Sequence, residues 1–200
     1  MDTETLRARL AGLSEHRVPD AYRRDGRADP GAPGLVRAAV LVPIVVGPAP
    51  GVVLTKRTSH LLRHAGQVSF PGGRIDPMDL DPESAALREA KEEIGLDPAV
   101  VDLRGRLPPY VTGTGYAITP VVGLLPPAPE FVPAPDEVEA VFELPLSILL
   151  DPAAPRRETW TDKGRNRDVW VWPHETHYIW GATAAILVAL AEVLRGPGPA

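Results

Sequence analysis

Residues 88–96 read REAKEEIGL. Glu89, Glu92 and Glu93 are spaced i, i+3, i+4, and at about 100° per residue they share one face of a helix. Ala86, Leu87, Ala90 and Ile94 fall on the neighbouring face, which is predicted to lie on a sheet. Asp81-Pro82 offers an N-cap and a proline at the first helical position, and Gly95 a stop. Two readings of the glutamates are open at this point. One is a solvated acidic face. Against it, like charges at helical spacing repel each other, and the cost grows at the edge of a buried surface. The other is a hard divalent cation that relieves the repulsion. An oxygen-only ligand set suits Mg2+ or Mn2+. Mg2+ held by few carboxylates normally also meets substrate phosphates, which points to phosphoryl or pyrophosphate chemistry.

Upstream, residues 63–76 read RHAGQVSFPGGRID, a glycine-rich stretch with a cationic start. Before it, AAVLVPIVV (38–46) and VVLTKR (52–57) flank the turn GPAPG and predict a hairpin. Residues 3–13 predict a short helix on Leu6, Leu10 and Leu13, and 14–34 a polar arm. Beyond the acidic helix, LRGRL, ITPVVGLL and EVEAVFELPL read as strands. ETWTD and RDVWVW read as a second hairpin joined by KGRN, and GATAAILVALAEVL (181–194) as a helix. This mixture predicts an α+β fold, a mixed sheet flanked by helices. Trp160, Trp170, Trp172 and Trp180 are read as core or hairpin packing, with Trp170 and Trp172 on one strand face. His60 and His64, four apart without a third ligand, read as polar surface or phosphate contacts.

At 200 residues the chain allows one large domain, and no long linker divides it. The net charge of −5 argues against a broad nucleic-acid surface. The absence of cysteine excludes disulfides, thiolate catalysis and cysteine-ligated zinc. The N-terminal MDTETLRARLAGL lacks an apolar signal core. The longest apolar run, 179–191, is too short and alanine-rich to span a bilayer. The expectation is a soluble, cytoplasmic protein with no nucleic-acid or membrane partner; a homodimer is left open.

Gly73 together with REAKEEIGL resembles the Nudix box: G, five residues, E, seven residues, then R-E-U-x-E-E-x-G-U, where U is a bulky aliphatic. The second half matches at each fixed position except Ala90, small for U. The first half departs. Six residues on from Gly73 stands Asp79, eight back from Arg88 stands Leu80, and the expected Glu is absent. The loop is one residue longer, and Asp79 or Glu83 is expected to partner Arg88. The resemblance implies a Nudix fold, a mixed sheet sandwiched between helices, with 1–34 as helix and arm, 35–195 as the Nudix domain and 196–200 as a flexible tail. It implies Glu89 and Glu93 as main ligands of Mg2+ or Mn2+, with Glu92 and the Gly73 carbonyl beside them. It further implies a water nucleophile oriented by one of Glu92 and Glu93 or by a more distant acid, for which Glu137 is the candidate, with Arg88 in the catalytic set.

Residues 53–73 are similar to a second signature, that of the coenzyme A pyrophosphatase branch: L-L-T-x-R-S, three residues, R, three residues, G, three residues, F-P-G-G. Val53-Leu54-Thr55-Lys56-Arg57-Thr58, Gly66 and Phe70-Pro71-Gly72-Gly73 are in register, while the second arginine's place is held by Leu62, with Arg63 next. The late IWGAT (179–183) is also similar to this branch. The implied substrate is coenzyme A or its thioesters, cleaved to 3',5'-ADP and a 4'-phosphopantetheine product. Arg57, Lys56, Arg63 and His64 would face its phosphates, with Gly72 and Gly73 bringing backbone close. The alternatives are a Nudix hydrolase for ADP-ribose or a dinucleotide, and a non-catalytic nucleotide-binding module.

Overall fold

The ten residues Val36–Val45 form β1, and the neighbours of this strand set the architecture. Along one edge β1 runs parallel to β7 (Tyr116–Leu125), in unbroken register from Val36↔Tyr116 to Val45↔Leu125. Its other edge is shared. β4 (Gly72–Arg74) takes the first half, from Ala38↔Arg74 to Val40↔Gly72. β2 (Gly51–Arg57) takes the end, through Ile44↔Val52 and Val45↔Gly51. Further on, β2 leaves β1 and pairs with β3 (Val68–Ser69). The segment 68–74 is therefore a wedge that enters the sheet on β2 and leaves it on β1. Pro71, which has no N–H to offer a ladder, sits at the crossover, and its carbonyl accepts from the Leu41 N–H at 2.9 Å. β8 (Val138–Pro145) lines the far edge of β2; β5 (Asp102–Arg106) and β6 (Tyr110–Val111) line the far edge of β7. The result is an eight-stranded mixed sheet. The structure is a computed structural model that describes residues 1–13, 29–60, 65–162 and 165–196, and within 162–167 backbone only.

Alternation along the strands gives the sheet two apolar faces. Ala39, Leu41 and Val45 of β1, Val53 of β2 and Val121 and Leu125 of β7 join one cluster, beneath helix α2 (Pro82–Ile94). Val42, Ile44, Val52, Leu54, Val122 and Leu124 join the other, with helix α1 (Thr3–Leu10) and the C-terminal helix. Both faces are covered by helix, so the α+β architecture expected from the sequence, a mixed sheet sandwiched between helices, is the one found. Leu6, Leu10 and Leu13 are buried in that second core, which ties the N-terminal helix to the main body.

The acidic helix has the ends its sequence prescribes. The Asp81 side chain accepts from the Ser84 N–H, the Ser84 side chain accepts from the Asp81 N–H, and Gly95 closes the helix at φ +67°. Ala85, Ala86 and Ala90 are fully buried. Small side chains at these positions let the helix axis approach the sheet closely, which is what brings Glu93 against the backbone of the wedge.

Further elements among the described residues include a 3-10 turn at Pro98–Val100, the short helix α3 (Leu146–Leu149) and a three-stranded sheet. That sheet is ordered β11 (Ile179–Trp180), β10 (Arg165–Trp172), β9 (Arg156–Asp162). The KGRN connection is shorter than the sequence suggests, because Arg165 and Asn166 already pair with Asp162 and Thr161. Helix α4 (Gly181–Arg195) follows directly. Trp172, at 1% exposure, is a core residue, and Trp160 stacks on Trp180 with ring centroids 4.5 Å apart. Among the described residues no helix is long and apolar enough to cross a membrane. Arg63 and His64, most of the 14–34 arm and nearly all of the tail lie outside the described residues.

The wedge leaves a testable mark. A Cβ on Gly72 would collide with the Ala39 carbonyl oxygen and stand 2.6 Å from Val40 Cα, both backbone atoms. Gly72→Ala is expected to cost about 3 kcal/mol, as overpacking does. Gly115→Ala, in open space at φ +88°, is expected to cost about 1–2 kcal/mol from backbone strain alone. Denaturant midpoints at unchanged slope check the difference.

Candidate active site

Helix α2 delivers Glu93 into the angle between β2 and β4. Glu93 is 4% exposed and is the one buried Asp, Glu, Lys or Arg among the described residues. Each of its oxygens has a donor: the Gly72 N–H reaches Oε2 at 3.3 Å, and Arg57 Nη1 reaches Oε1 at 3.3 Å. One turn back, Glu89 lies over Gly73. A Cβ there would stand 2.5 Å from the Glu89 carboxylate carbon. With glycine there, the carboxylate can stand where it does; any Cβ would displace it.

Arg88 fixes the other flank. Its Nε and Nη2 donate to both Asp79 oxygens at 3.1 and 2.9 Å, a forked pair. Nη2 also reaches the Arg74 carbonyl at 3.2 Å, and Nη1 donates to Glu89 Oε1 at 2.9 Å. Asp79 is thus the partner that replaces the expected Glu, and the extra loop residue lies between it and Arg88. Glu83, the other candidate, pairs with Arg106. Leu80 is 94% exposed in that lengthened loop.

Glu137 is brought in from the far side. The Ala134 N–H donates to the Glu93 carbonyl at 2.8 Å and the Thr58 N–H to the Glu137 carbonyl at 3.0 Å, so the turn before β8 is tied to both α2 and β2. The Glu137 carboxylate then stands 3.9 Å from Arg57 Nη2 with its side chain 53% exposed. The reading of the sequence missed this tether, which rests on backbone groups that leave no mark in residue identity.

The carboxylates disturb one another. Burial pushes the Glu93 carboxyl up to about 7, opposed by Arg57 and the Gly72 N–H and reinforced by Glu137 and Glu89. Burial also raises Glu89, against the pull of Arg88. These are desolvated, hard oxygen donors with incomplete charge compensation, beside a glycine whose missing side chain makes the space for one of them. That chemistry fits a divalent cation. Among the described residues no three carboxylate or imidazole groups yet converge on one point; Arg57 and Arg88 lie against Glu93 and Glu89 instead.

The structure thus gathers Arg57, Gly72, Gly73, Arg88, Glu89 and Glu93, with Glu137 at the rim. Glu92 lies at the edge, its side chain 61% exposed and 3.6 Å from Arg88. Lys56 does not join them. Neighbouring strand residues face opposite ways, so Lys56 points away from Arg57. Its Nζ bonds Glu139 Oε1 at 2.6 Å, where a bulge interrupts the pairing of β2 with β8. The period-2 pattern of β2 already carried that information. Arg63 and His64 lie outside the described residues.

The family model described as NUDIX domain matches residues 35–164. The chain is 46% identical over 155 residues to the "Uncharacterized Nudix hydrolase NudL" of Escherichia coli (strain K12), covering 78% of this chain and 81% of that one. Among solved structures it is similar to a Nudix hydrolase from M. smegmatis, RenU. That match has 24% identity and a TM-score of 0.49, and covers 58% of this chain and 74% of that one.

Two outcomes follow from the charges. Because the folded value of Glu93, about 7, lies above its ordinary 4.5, the folded protein holds a proton that the unfolded chain releases. The associated stability is fully present below about pH 4.5 and is lost as pH rises through about 7. With a chelator present, Glu93→Gln is expected to be about 2–3 kcal/mol more stable than wild type at pH 8, a gain that vanishes toward pH 4.5; melting curves across pH check it. Asp79→Ala should cost about 1.5–3 kcal/mol by stranding a hydrogen-bonded charge, whereas Glu83→Ala should cost under about 1 kcal/mol. Equal costs would contradict the pairing of Arg88 with Asp79.

Proposed function

The chain belongs to the Nudix hydrolase family, whose members act on small molecules with divalent metal ions, and we propose that this pyrophosphatase cleaves coenzyme A or its thioesters, with Mg2+ or Mn2+. The observation that carries the reading is the meeting of Arg57 and the Gly72 N–H on the Glu93 carboxylate. Arg57 belongs to the upstream signature, Glu93 to the acidic helix, and the Phe70-Pro71-Gly72-Gly73 wedge joins the two. A residue set that would recognise a coenzyme's phosphates thus abuts the one that would hold the metal.

Glu89, Glu93 and Glu92, with the Gly73 carbonyl, would hold the cation, which when bound supplies charge neutralisation at the pyrophosphate and an activated water. The protein's own groups do the rest. Arg57 donates its forked N–H groups to phosphate oxygens. Arg88, fixed by Asp79, orients Glu89. Glu137 is the base: it takes a proton from the water whose oxygen forms the new bond to phosphorus. The bridging P–O bond breaks, and its electron pair leaves with the second phosphate. The products are 3',5'-ADP and 4'-phosphopantetheine, free or acylated. Arg63 and His64 are proposed to meet further phosphates. A cysteine-free chain suits the cytoplasm.

Purified protein with Mg2+ or Mn2+, offered coenzyme A, acetyl-coenzyme A, ADP-ribose, NADH and diadenosine polyphosphates, is expected to turn over the coenzyme A pair fastest, with 3',5'-ADP as product by chromatography. Glu93→Gln should lose at least about a hundredfold in rate. Faster turnover of ADP-ribose or of a dinucleotide would overturn the substrate assignment, and full activity in Glu93→Gln the role of that carboxylate.

A further inference from the structure

The two arginines of the site are held in different ways. Arg88 is anchored on groups outside the inner carboxylates: both oxygens of Asp79 and the Arg74 carbonyl. None of these three contacts involves Glu89. Among the described residues the side-chain contacts of Arg57 are with the cluster itself. Nη1 lies 3.3 Å from Glu93 Oε1 and Nη2 lies 3.9 Å from Glu137 Oε2. Glu93 has its other oxygen on the Gly72 N–H, so Arg57 covers the remaining side of this buried carboxylate. A cation ligated by Glu93 would meet a like charge a few ångströms away, in a site that water screens poorly.

We propose that Arg57 is an exchangeable counter-ion. It neutralises Glu93 until a divalent cation takes that carboxylate, and it then turns outward to the anionic phosphates of the substrate. Cation and substrate favour the same arrangement of Arg57, so each tightens the binding of the other. The inference rests on the metal part of the proposed function and not on the identity of the substrate.

Two measurements test it without turnover. The first is calorimetric titration of the full chain with Mn2+ alone at about pH 8.5. Arg57→Gln is expected to bind Mn2+ at least about fivefold more tightly than wild type, because the competitor is gone. Arg7→Gln, which removes the same charge from the distant pair with Asp102, should stay within about twofold of wild type. The second uses wild-type protein and does not depend on a variant folding. Mn2+ is expected to speed the phenylglyoxal modification of Arg57, mapped by mass spectrometry with Arg7 as internal reference. Equal or weaker Mn2+ affinity in a folded Arg57→Gln, or an Arg57 modification rate that Mn2+ leaves unchanged or lowers, overturns the proposal. Neither measurement contains coenzyme A, so failure here and failure of the substrate assignment are told apart.

Discussion

A carboxylate buried to 4% exposure needs a donor within reach. Glu93 finds one in the Gly72 N–H, and much of the molecule is arranged around that contact. For the amide to be free, Gly72 must sit where two strands have parted, since an ordinary ladder position would use the N–H. For the carboxylate to reach it, α2 must lie close to the sheet, which its three buried alanines permit. For the chain to pass so near β1, residue 72 must lack a side chain. The diverging strands, the alanine-faced helix and the paired glycines thus satisfy one requirement together.

Much of this was legible in the sequence. The capping of α2, its stop at Gly95 and the alternation of β1, β2 and β7 follow from local rules. The shared face of Glu89, Glu92 and Glu93 follows from helical geometry alone. What escaped depends on chain paths that no local rule fixes. The choice between Asp79 and Glu83 for Arg88 turns on where a lengthened loop places its extra residue. Both acids are near in sequence, but Glu83 stands on the first turn of the helix, where Arg106 of β5 meets it. Glu137 reaches the site through backbone hydrogen bonds at Ala134 and Thr58, which any residues there could make. Lys56 is a different kind of miss. It follows from grouping cations by proximity in sequence when a strand turns neighbours to opposite faces.

The electrostatics of the site carry a related tension. Two carboxylates, Glu89 and Glu93, drawn together under partial burial work against folding, and Arg57 and Arg88 offset part of that cost. Tolerating such a cluster is intelligible where function needs it, in the way that active sites concentrate perturbed acids. The two arginines contribute unequally, since Arg88 is bound into the frame while the side-chain contacts of Arg57 among the described residues are with the cluster.

The wedge has one more face. Its backbone serves the site, but the side chains of Val68 and Phe70 point the other way, into the core beneath α4. There the Thr183 hydroxyl donates to the Val68 carbonyl at 3.0 Å. The loop that presents Gly72 is therefore nailed down from behind. In a mutational survey, lesions at Phe70 or Thr183 would masquerade as active-site defects although neither side chain points toward the carboxylates, and compensating changes would arise in the C-terminal helix, more than a hundred residues away along the chain.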